Sequence, residues 1–126
     1  MFKFKEIRLY PSEFTLDVYV VDDASRLTET FENRYGADED FTLTLSTNVC
    51  LTFDTDLNSE LKGYRVFVII LDSLSHKLVA HELIHLLWQF SECVRVEMNP
   101  DSQEWQALFT EYLTSEILRD DYEEKR

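Results

Sequence analysis

The stretch that most limits what this chain can fold into runs from Leu74 to Phe90 and reads LSHKLVAHELIHLLWQF. Leu74, Leu78, Val79, Ala80, Leu83, Ile84, Leu86, Leu87, Trp88 and Phe90 make it apolar nearly all the way round as a helix. Such a helix is expected in a protein interior. Inside it lies His81-Glu82-Leu83-Ile84-His85, an H-E-x-x-H pentad. On a helix, positions i and i+4 lie about 40° apart around the axis, so both imidazoles leave one face, one turn apart. Two neutral ring nitrogens at that spacing reach a single Zn²⁺ at roughly 2.0–2.1 Å. Glu82 then projects beside the ion, placed to deprotonate a water rather than to ligate. The plainer alternative is a core helix whose histidines hydrogen-bond to backbone carbonyls and whose glutamate points outward. Two histidines and a glutamate buried in so apolar a segment would each cost free energy without a partner, and a metal supplies one.

At 126 residues the chain is expected to form one domain, residues 1–126, with a single real core. Hydrophobic content of 44% excludes a disordered chain. Twelve basic against twenty-five acidic residues give a net charge of −13. That balance opposes any grip on nucleic acid, which needs clusters of Lys and Arg. The acidic runs Asp38-Glu39-Asp40 and Asp120, Asp121, Glu123, Glu124 read as solvated surface of a monomer. Cys50 and Cys93 stand far apart and make no disulfide framework. With no apolar run of membrane-spanning length and no signal-peptide core, no membrane partner is expected and the cytoplasm is the default compartment.

Along the chain, Phe2–Leu9 and Phe14–Val21 read as strands. Leu27, Phe31 and Tyr35 recur at four-residue spacing, predicting an amphipathic helix over Ala24–Tyr35 with Gly36 as its C-cap. Phe41–Phe53 alternates Thr with apolar residues and predicts one long strand or a hairpin. Asp54–Gly63 is turn-like, and Tyr64–Leu71 is the most continuous apolar strand, expected centrally in the sheet. The pentad helix follows, with Asp72 or Ser73 as its N-cap. Ser91–Met98 reads as a connection with a small strand around Val94 and Val96. Pro100 then opens a last helix, Gln103 to about Asp120, whose buried stripe is Trp105, Leu108, Phe109, Tyr112, Leu113, Ile117 and Leu118.

A catalytic zinc usually takes three protein ligands and keeps one open position. Besides His81 and His85, the last helix offers Glu104, 19 residues after His85, and Glu111 as a reserve. The alternative role for Glu104 is capping: Asp101-Ser102-Gln103-Glu104 has the spacing of a capping box. His76 reads as a helix-start residue turned away from the pentad face.

An H-E-x-x-H followed about twenty residues later by a helix-borne E-x-x-A, here Glu104-Trp105-Gln106-Ala107, resembles the gluzincin metallopeptidases. HELIHLLWQF followed by DSQEWQALFTEYL is also similar to small uncharacterised bacteriophage proteins. The matching motifs cover Leu78–Leu113. The resemblance implies an α+β, zincin-like domain: about four strands, a backing helix, the pentad helix and a C-terminal helix carrying the third ligand. It also implies a zinc metallopeptidase with one Zn²⁺ per chain on His81, His85 and Glu104, and Glu82 as general base. Its partner would be a peptide or protein substrate, met in a host cytoplasm if the chain is phage-encoded. The family's oxyanion donor finds a candidate in Tyr112, and its orienting aspartate has no match, because that position is Ala107. Two readings from other classes stand beside the enzyme. One is a zinc-stabilised binding protein without turnover, and the other is an acidic inhibitor that mimics nucleic-acid charge.

Overall fold

The computed structural model describes residues 1–126. Its five strands are β1 (Phe2–Arg8), β2 (Thr15–Val20), β3 (Val49–Asp54), β4 (Arg65–Leu71) and β5 (Glu123–Lys125). Its four helices are α1 (Thr28–Tyr35), α2 (Glu39–Thr42), α3 (His76–Val94) and α4 (Gln103–Leu118), with 3₁₀ turns leading into α1 and α4. The strands form one mixed sheet in the order β3-β4-β2-β1-β5. Only β2 and β4 are parallel; the other three pairings are antiparallel. The chain is therefore α+β, with helices on both faces of the sheet.

The interior strand explains the layering. In β4, Phe67, Ile69 and Leu71 face the α3–α4 side, while Val66, Val68 and Ile70 face α1. A strand buried on both faces reads as an unbroken apolar run, as its sequence does. On one face Ile7, Leu16 and Val18 join β4 against Leu83, Leu86, Phe90, Phe109 and Leu113. On the other, Tyr19 and Val21 pack with Leu27, Phe31 and Tyr35. Helix α1 ends where the sequence indicates: Gly36 is left-handed at φ 69°, its N–H bonds back to Glu32, and a Cβ would run into Asp56.

Several expectations are corrected by contacts distant in sequence. Phe41–Phe53 is not one strand or a hairpin. Asp38 caps Phe41 N at 2.8 Å and starts α2, with Glu39 and Asp40 in its first turn, so only Val49–Asp54 is extended. The pentad helix is capped by Ser75, which accepts from Leu78 N at 3.2 Å. Asp72 is engaged elsewhere: its N–H donates to Asn48 Oδ1 and its carboxylate accepts from Asn48 Nδ2, both at 3.2 Å. The helix then continues through Val94, so no strand forms around Val94 and Val96, and it stops at Arg95, which is left-handed at φ 58°. The acidic tail forms a fifth strand on β1, with Lys3 opposite Glu124.

Candidate metal centre

Helix α3 lies against edge strand β3 and under α4, and its two flanks differ. Toward α4, Phe90 stacks on Trp105 and Phe109, with ring centroids 6.4 and 5.0 Å apart. Toward β3, Gln89 Nε2 donates to the Cys50 carbonyl at 3.3 Å, and its Oε1 accepts from Thr52 Oγ1. Gln89 is one turn beyond His85 on the same helix face, so the row His81, His85, Gln89 runs along the β3 side.

The pentad residues fall into two environments. His81 and His85 are exposed, while Glu82 is only 2% exposed. The imidazole centroids are 5.1 Å apart, and His81 Nε2 lies 4.0 Å from Glu82 Oε2. One donor atom from each of His81, Glu82 and His85 lies within 4.8 Å of the others. Ligands of a tetrahedral zinc sit about 3.3–3.4 Å apart, given bonds of 2.0–2.1 Å. The donor atoms stand wider apart than that, the two imidazoles are exposed and unpacked, and the group could hold a metal ion.

Glu82 is the unusual member. No hydrogen bond of the protein ends on its carboxylate, yet no side-chain polar atom sealed from solvent lacks a partner. Its oxygens therefore keep a narrow opening to the outside, beside His81. Burial raises its pKa above the ordinary 4.5, and the neighbouring His81 and His85 pull the other way. Below it, burial pushes the Cys50 thiol up to about 12, with Glu82 adding to the rise.

The structure brings His81, Glu82 and His85 together, but neither Glu104 nor Glu111 joins the group. Both are exposed on α4, which packs on the flank of α3 away from the histidine row. Glu104 is not a capping residue either. The box before α4 is made by Asn99 and Ser102, with Asp101 N donating to Asn99 Oδ1 at 2.9 Å. Tyr112 donates its hydroxyl to the Arg8 carbonyl at 3.0 Å, which ties it to β1. His76 is the exposed first residue of α3.

Sequence reasoning missed two features of this region. Gln89 fastens the helix to the edge strand, a role signalled only by its place eight residues after His81. The helix is also not buried all round, since Ile84 and Trp88 are each 55% exposed. Leu108, expected in the stripe of α4, is likewise 57% exposed. No helix is long and apolar enough to cross a membrane. Compared with known proteins, the chain matches no family model, no curated protein and no solved structure.

Proposed function

We propose that this chain is a zinc-dependent hydrolase of peptide or other amide bonds with a zincin-like layout. His81 and His85 hold the ion, and Glu82 is the general base. The observation that carries this reading is the Glu82 carboxylate, buried without a protein hydrogen bond beside two exposed imidazoles. When bound, zinc supplies Lewis acidity, which lowers the pKa of water and polarises a carbonyl. Glu82 accepts a proton from the attacking water at a carboxylate oxygen and returns it to the leaving nitrogen. Its burial favours the protonated form between these transfers. Strand β3 has a free outer edge along the same flank of α3, where an extended chain of substrate can pair with backbone groups. Gln89 holds that edge against the histidine row. Cleavage of a peptide library by the zinc-loaded chain and by Glu82→Gln tests the reading. Turnover by the first alone supports it, and equal cleavage by both removes Glu82 from the chemistry.

A second reading rests on the position of Glu104 and Glu111 outside the group. Two imidazoles without a carboxylate from α4 leave positions that a partner's side chains would fill, which suits a protein that binds a partner through zinc and whose function Glu82→Gln would leave unchanged.

A further inference from the structure

Ala80, His81, Ile84, His85 and Trp88 form the exposed stripe of α3. From Leu78 to Ser91 the one charged side chain is Glu82, and it is buried. A chain of net charge −13 thus shows about four helical turns without an exposed charge. The two imidazoles sit in the middle of this stripe, flanked by Ile84 and Trp88.

Coordination chemistry gives the stripe an occupant. A protein-bound zinc is usually four-coordinate, and structural sites fill all four positions with protein ligands. This chain presents two exposed imidazoles, while the carboxylates of α4 stay outside the group. A two-fold pairing is self-complementary, so α3 laid on α3 of a second copy presents four imidazoles to one ion on the axis. We infer that two copies of this chain share one zinc ion across the exposed stripe of α3, each contributing His81 and His85, as a latent form of the site. The inference rests on the metal assignment made above.

Neither apolar burial nor charge holds such a pair alone. A lasting interface uses about 20–30 residues a side, far more than this stripe, and a charge of −13 on each copy opposes association. The ion is therefore the clasp, and pairing follows the ratio of zinc to chain. With about half an equivalent of zinc, sharing satisfies all four ligand positions. With zinc in excess, each chain takes its own ion, the pair separates, and the position needed for hydrolysis opens.

Light scattering on size-fractionated full chain, in about 0.15 M salt, tests this at three zinc ratios. The chain is expected to be monomeric without zinc, to double in mass at half an equivalent, and to return to monomer in excess. Trp88→Glu and Ile84→Glu replace exposed side chains, so both are expected to keep the wild-type circular dichroism and bind zinc while remaining monomeric throughout. Zinc bound by a wild-type monomer at every ratio would overturn the pairing and leave the metal centre standing. A dimer that forms without zinc, or persists in both variants, would overturn the stripe as the contact. Absence of zinc binding would overturn the metal assignment and the pairing together.

Discussion

Asp17 and Glu82 are both carboxylates buried under helices, and their partners set them apart. Asp17 accepts from Arg34 Nε at 2.8 Å, from Arg34 Nη2 at 3.2 Å and from the Tyr35 hydroxyl, which also meets the Tyr19 hydroxyl at 2.6 Å. Burial still outweighs these partners and raises its pKa above the ordinary 3.8. The folded chain therefore holds this proton more tightly than the unfolded chain. The stabilising contribution of this group is full below pH 3.8 and declines as pH rises from there through the raised native value. A carbon-13 titration of the Asp17 carboxyl is expected to give a midpoint above 3.8, and one below it would reverse the sign. Glu82 has no such network, and under the proposed function it is the group that moves the proton. Glu82→Gln is expected to lower hydrolysis by about 10²–10⁴-fold while zinc is kept, measured by cleavage rate and metal content on the same sample. The pentad is legible in sequence because its geometry is local to one helix. The position of Glu104 is not, because it depends on which flank of α3 receives α4.

Helix ends show what sequence can and cannot reveal about an element. Gly36 announces the end of α1 because only a left-handed residue fits there. Gly36→Ala meets both positive φ and Asp56, so a loss of about 1–3 kcal/mol is expected by urea unfolding. The end of α4 is held by a residue more than a hundred positions away. Buried Lys5 donates to the carbonyls of Glu116 and Arg119 at 2.6 and 2.7 Å, pairs with Asp121 and lies over the Tyr122 ring. A cation on the last carbonyls satisfies orphan acceptors and complements the helix dipole. Lys5→Met removes the cation from the Glu116 and Arg119 carbonyls, while Arg119 still pairs with Asp121, and about 1–3 kcal/mol of stability is expected to be lost on denaturant unfolding. An unchanged midpoint would show that water replaces Lys5 fully. Nothing in the alternation of Phe2–Leu9 signals that one of its lysines caps a helix. The same limit explains the N-cap of α3, where Asn48 occupies Asp72 and leaves the cap to Ser75.

At the scale of the molecule, alternation and the Tyr64–Leu71 run make the sheet and its central strand readable. The helices on both faces follow from β4 being apolar on both sides. Strand β5 is not readable, because a charged tail pairs only where β1 offers a free edge. The exposed stripe of α3 is hidden for a related reason: apolar composition does not say which side of a helix stays uncovered. The candidate metal centre sits at the junction of these layers, with its donors on one helix and its flank on the edge strand. Zinc bound there is linked to folding. Free zinc at about 100 times its Kd is expected to stabilise the chain by about 2.7 kcal/mol. A rise in melting temperature that disappears in His85→Ala checks this, and an equal rise in that variant would place the ion elsewhere. Whether the centre exists is decided by elemental analysis of purified chain, after dialysis against chelator and again after zinc is restored and excess removed. The chain and Glu82→Gln are expected to regain zinc alike, about one per chain or one per pair of chains, and His81→Ala and His85→Ala to regain none. Equal zinc in all four proteins, or none in any, would contradict the assignment and return the two histidines to the surface of an ordinary helix.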